Sequence, residues 1–194
     1  MNNEAQTQQS DMKTINNKLI RTLKPCFNPL MYVKDENETL SVLEWVLKYR
    51  GTVPDADIIW LLCHKDFLSD KQLRLFGIWC AREALELVDN PDPRCIEACN
   101  VSELYANKEA TKEELEFARD AAADAREAAV NAFARDTAAV NSTYAAVAAA
   151  YVNDVDVAYY AAAAAAAAGA AADAAADRVV ARAAQLNKLL TYFK

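Results

Sequence analysis

The chain has 194 residues, of which 54% are apolar, a formal charge of −7 and only three glycines. That length holds one large domain or two small ones. The scarcity of glycine argues against a β-rich fold with many tight turns. The lack of any basic tract argues against direct binding to nucleic-acid phosphates, which needs clustered Lys and Arg.

Residues 1–12 are mostly polar and read as a disordered N-terminus, with no signal peptide. A helix is expected over 13–24, with Ile15, Leu19, Ile20 and Leu23 on one face, broken by the two prolines of "KPCFNPL". "NETLSVLEWVLKYRG" predicts a helix over 38–49, ended by Gly51. "VPDADIIWLLCHKDF" opens the next, with Pro54 in its first turn. In "SDKQLRLFGIWCAREALELV", Ser69 is the cap and Leu73, Phe76, Cys80, Ala84 and Leu87 form one stripe. "DNPDP" is a stop, and a shorter helix fits 93–105.

The second half is dominated by alanine. "TKEE" is a capping box, with Glu114 three residues after Thr111. Leu115, Ala118, Ala122, Ala125, Ala129 and Ala132 then recur at alternating steps of three and four. A second such seam is Ala161, Ala165, Ala168, Ala172, Ala175 and Val179. Alanine favours helix and lets helix axes approach to about 8 Å. Helices are expected over 111–136, 142–152 and 154–193, the last bent near Gly169 and about 60 Å long if unbroken. Val179, Leu186, Leu190 and Phe193 form a stripe that anchors its end. The expected fold is all-α, a multi-helix bundle with long, closely packed alanine-rich C-terminal helices. Residues 13–194 would form one domain, Trp-bearing over 13–91 and alanine-rich over 92–194.

Asp156 and Asp173 bound an uncharged interval of 16 residues, short of the about 20 needed to span a membrane. The odd set of Cys26, Cys63, Cys80, Cys95 and Cys99, without CxxC spacing, reads as reduced thiols in a cytoplasmic protein. His64, the sole histidine, lies between Cys63 and Asp66 in sequence, but neighbouring helix positions do not face each other. Cys95 and Cys99 lack the partners of a structural zinc site and read as buried thiols. No Gly-rich phosphate loop exists. No catalytic residue, metal ligand or cofactor is assigned.

Glu113, Glu116, Asp120, Asp124 and Glu127 recur on one side of the long helix, near Arg119 and Arg126. Like charges four residues apart repel mildly, so this stripe is the candidate docking face for a basic partner. Asp173 and Asp177, beside Arg178 and Arg182, read as a solvated face.

The stretches "DIIWLLCHKDF", "LRLFGIWCAREALELV", "DPRCIEACNVSELYANKEAT" and "KEELEFARDAAADA" resemble a family of alanine-rich helical proteins of phages and bacteria labelled immunity proteins. The likeness covers about residues 57–185 and leaves 1–50 open to a target-specific role. It implies a protein of phage or bacterial conflict, acting in the host cytoplasm if phage-encoded, and brings no catalytic residues. The resulting expectation is a non-enzymatic protein that neutralises a toxin, defence factor or host protein by stoichiometric contact, with self-association open. One alternative is an acidic DNA mimic that blocks a DNA-binding protein. Another is an enzyme or a small-nucleotide-sequestering pocket around Trp45, Trp60, Trp79, Tyr105 and Arg82.

Overall fold

The computed structural model describes residues 13–25, 28–33, 35, 37–131, 137–151, 156–174 and 178–194. Residues 1–12, Cys26, Ala132, Ala175, Asp177 and the side chains of Asp173 and Arg178 lie outside that description. The expected all-α architecture is present: the described residues hold nine α-helices, two short 3-10 helices and one two-stranded ladder. No described helix is long and apolar enough to cross a membrane. The chain divides into two compact units, Met1–Val53 and Pro54–Tyr192, with one terminal residue joining each.

In the first unit, β1 (Thr14–Ile15) pairs antiparallel with β2 (Leu40–Ser41), Thr14 opposite Ser41 and Ile15 opposite Leu40. The expected helices over 13–24 and 38–49 are therefore shorter, at α1 (Asn17–Thr22) and α2 (Val42–Tyr49). The side chains that set their starts are plain. Asn16 accepts from Leu19 N at 2.8 Å. Ser41 and Glu44 form a reciprocal capping box, which satisfies two of the donors that a helix start leaves open. Buried Asn17 donates to the Val33 and Asp35 carbonyls at 3.0 and 3.1 Å and ties the intervening loop to α1. Ile15, Ile20, Val42, Trp45 and Val46 fill the core. Gly51, at φ +90°, turns the chain after α2, a conformation that costs a residue with a Cβ.

The second unit holds α3 (Asp55–Leu62), α4 (Asp70–Leu85), α5 (Pro93–Ala106), α6 (Lys112–Asn131), α7 (Thr137–Ala149), α8 (Val157–Ala174) and α9 (Arg178–Leu190). Pro54 sits at the cap of α3, one residue ahead of its expected place. The capping box read from the sequence forms between Thr111 and Glu114, and the Ser69 cap proves to be a box as well, with Gln72 as its partner. The helix α8 packs against α4, α7 and α9. Its buried alanines, among them Ala161, Ala164, Ala165, Ala168 and Ala172, face those helices. Large side chains of the other helices, including Leu61, Leu62, Phe76, Leu115, Leu186 and Leu189, are fully buried and add the apolar area that alanine cannot supply.

Gly77 marks a close approach of three helices. A Cβ built on it would lie 3.5 Å from Ala161 Cα, 3.7 Å from Ala164 Cβ and 3.9 Å from Ala149 Cα. Three helices thus meet at a residue without a side chain, where one added methyl group would make ordinary contact.

Three expectations are corrected. The stretch 154–193 is not one long rod, because α9 folds back on α8. Gln185 Nε2 donates to the Ala165 carbonyl at 2.9 Å, whereas these residues would be about 30 Å apart in an unbroken helix. Arg182 Nη1 donates to the same carbonyl at 3.1 Å and to Gln185 Oε1 at 3.0 Å. Gly169 lies within the span of α8 and leaves space for that guanidinium, which would lie 2.4 Å from an added Cβ. Val179 is 81% exposed rather than part of either expected stripe, because the reversal ends the seam before it. Leu87 lies past the end of α4 and is exposed, so its stripe stops at Ala84.

A second junction is polar and aromatic. Arg74 is buried, donates to the Tyr151 carbonyl at 2.7 Å and lies over the Tyr105 ring at 4.9 Å. Tyr151 stacks on Tyr160 at 3.6 Å, with Arg119 over its ring at 5.5 Å. The hydroxyl contact with Tyr151 is the main reason the Tyr160 phenol is pushed up to about 12. The Arg74 and Arg119 contacts bring together α4, α5, α6 and the chain between α7 and α8. Packed cations of this kind also contribute through their long apolar stems.

Candidate functional site

The acidic stripe lies on α6 opposite its buried seam. Leu115, Ala118, Ala122 and Ala125 are buried, Glu113, Asp120, Asp124 and Glu127 are exposed, and Glu116 is half-buried. A helix presents opposite faces at such offsets. Two of the five carboxylates have a basic neighbour on the same helix: Lys112 lies 3.6 Å from Glu116, and Arg119 Nη2 lies 2.6 Å from Asp120. These two cations offset part of the charge, and Glu113, Asp124 and Glu127 leave the stripe net negative. Arg126 does not join it, its guanidinium lying over the Tyr144 ring at 5.2 Å.

Beside the stripe is a feature that the carboxylate spacing did not disclose. A groove of about 690 Å³ opens between α5 and α6. Its apolar wall is Val101, Leu104, Phe117, Ala118 and Ala121. Phe117 is 79% exposed and Leu104 42%. Glu97, Glu109, Glu113 and Glu114 stand around it, with Arg94 as the one basic residue. That guanidinium is held by the helix cap: Arg94 Nε and Nη2 donate to the two Asp92 carboxylate oxygens at 3.0 and 2.8 Å. The same contact holds the Asp92 carboxyl below its usual range. Glu113 belongs to both stripe and groove, so the two form one continuous surface.

Local sequence explains the geometry. The chain leaves α5 through Lys108 at φ 64°, with Glu109 N donating back to the Leu104 carbonyl at 2.8 Å. Thr111 then caps α6. The short turn sets the two helices side by side. The sequence signal for Phe117 is its place one residue before Ala118, off the buried seam. A ring at that position of an otherwise alanine-lined helix has no core to enter.

The other candidates do not converge on chemistry. His64 turns its Nδ1 to the Trp60 and Leu61 carbonyls at 3.0 and 3.1 Å, while the neighbouring Cys63 is buried. Among the described residues, no group of three His, Cys, Asp or Glu side chains could hold a metal ion. Burial pushes the Cys63 and Cys80 thiols far up, and those of Cys95 and Cys99 up to about 11 and about 12. A thiol that stays protonated is a poor nucleophile. In a Cys26→Ser variant, the remaining thiols should therefore react with a colorimetric disulfide reagent only as the protein unfolds. A rapid stoichiometric burst from native protein would contradict that placement.

The five aromatic and basic residues singled out for a pocket are scattered. Trp45 is buried in the first unit. Tyr105 lies under Arg74. Arg82 bonds Glu103 and Asn100. Trp79 lines a cleft between α4, α8 and α9, and of the five only Trp60 borders the cavity between α3, α7 and α8. No family model, curated protein or solved structure matches this chain.

Proposed function

We propose that this protein is a non-enzymatic binding protein that neutralises a toxin, defence factor or host protein by direct stoichiometric contact. The observation that carries the reading is Phe117, a phenyl ring 79% exposed in an apolar groove with four glutamates around it. Contiguous exposed apolar surface with a polar rim favours partner binding, and aromatic anchors dominate interface energetics. The rim selects the partner's chemistry: an amphipathic basic segment that places an apolar residue against Phe117 and Lys or Arg against the carboxylates. An apolar centre fits this better than a DNA mimic, whose surface must copy phosphate charge alone. The role in phage or bacterial conflict is carried over from the family resemblance.

A photo-crosslinker placed at position 117 identifies the partner, which is then purified and titrated against the full chain. Reversing Asp120 and Asp124 to lysine leaves the fold intact, because both are exposed. It is expected to slow association about tenfold at low ionic strength. The difference should fade at high salt, where the Debye length is about 3 Å. Equal association rates at both salt concentrations would remove the stripe from the recognition surface and leave the groove to act alone.

A further inference from the structure

We infer that the cavity between α3, α7 and α8 binds an uncharged, planar, amino-bearing nitrogen heterocycle of the nucleobase class. This site shares no lining residue with the α5–α6 groove, and its test involves no protein partner. The cavity measures about 610 Å³, within the usual span of small-molecule sites.

Three features fix the ligand class. The first is shape. Five alanines of α8, from Ala162 to Ala170, make one side of the cavity. Side chains that end at a methyl group leave a smooth strip on which a flat ring can lie. The second is the set of rings around that strip: Trp60, Tyr144 and Tyr159. None of them hangs free. Trp60 packs edge-on against His64 at 4.6 Å, Tyr159 edge-on against Tyr160 at 5.2 Å, and Arg126 lies over Tyr144. Tyr159 is 65% and Tyr144 39% exposed, so both rings are open to stack on a planar ligand.

The third is the polar edge. Among the described residues, no Asp, Glu, Lys or Arg lines the cavity, so those residues offer a charged group no counter-ion. His64 and Asn141 supply the side-chain nitrogen chemistry. Carbonyl oxygens only accept, so the Trp60 and Leu61 carbonyls hold the proton of neutral His64 on Nδ1. Nε2 is left as an acceptor. The Asn141 carboxamide adds one donor and one acceptor function. An exocyclic amino group can donate to Nε2 while an adjacent ring nitrogen meets the carboxamide. Adenine and cytosine present that edge, whereas hypoxanthine and uracil present a carbonyl in place of the amino group. The phosphates of a nucleotide would have to lie outside the lining residues.

The experiment is calorimetric titration of the full chain with adenosine, cytidine, inosine and uridine, with cyclohexanol as an apolar control. Adenosine or cytidine should bind with Kd of about 0.1 mM or tighter. The deaminated counterpart should bind at least about tenfold more weakly, the loss of one hydrogen bond at a preorganised site. His64→Phe keeps a ring against Trp60 and should erase that discrimination. Ala166→Leu fills the α8 side at an exposed position and should abolish binding with an unchanged melting temperature. If Ala166→Leu disturbs the fold, the Trp60 indole resonance of the wild-type chain reports occupancy instead, shifting with adenosine and not with inosine. No binding by adenosine or cytidine at several millimolar would overturn the proposal. So would equal binding of amino and keto nucleosides, or of cyclohexanol.

Discussion

Replacing Gly77 by leucine is expected to destabilise the protein by about 3 kcal/mol, the upper end of the overpacking range. Alanine at the same place should be neutral or stabilise by up to about 1 kcal/mol. The asymmetry follows from distance. The first added carbon lies 3.5 to 3.9 Å from Ala161, Ala164 and Ala149, which is ordinary contact. The next three carbons of leucine are expected to press on α7 and α8, whose nearest atoms are backbone and methyl groups that cannot rotate away. Equilibrium unfolding in urea checks both variants, and the leucine variant should melt about 10 °C lower. A leucine variant as stable as the wild type would mean that α4, α7 and α8 stand further apart than described.

Phe117→Asp carries the second large effect, and it falls on binding rather than on folding. The ring is 79% exposed, so its removal should change unfolding free energy by no more than about 0.5 kcal/mol. Affinity for the captured partner should fall about 100-fold. The variant removes the central anchor, and it also places a fifth carboxylate where the partner's apolar residue must sit. Phe117→Tyr should keep most of the affinity, since the ring remains. An aspartate variant with wild-type affinity would exclude the α5–α6 groove as the contact surface.

Parts of this structure were legible in the sequence, and the divide has a physical basis. Helix starts are local, so the Ser69 and Thr111 caps could be read directly. The alanine seam of α6 was legible through its spacing, and with it the opposite acidic face. The return of α9 onto α8 was not. It depends on Gln185 and Arg182 reaching the Ala165 carbonyl, contacts between residues far apart in sequence. The chain has no glycine or proline after Gly169, so its sequence gives no punctuation there. The pairing of Thr14 with Ser41 was hidden for the same reason, and it shortened two expected helices. At the candidate site, charge spacing disclosed the stripe but not the groove. The groove needs α5 beside α6, which only the folded chain brings about.

The central claim is that this protein acts by occupancy. Its most direct test is titration of the partner's activity against known amounts of the chain, at partner concentrations well above the dissociation constant. The account predicts a linear loss of activity that ends at a fixed equivalence point, independent of incubation time, and full recovery of the partner when the complex is dissociated. The Phe117→Asp variant should give no break in the curve at the same concentrations. Complete loss of partner activity at far below that equivalence, growing with time and leaving a chemically altered partner, would show catalysis and contradict the account.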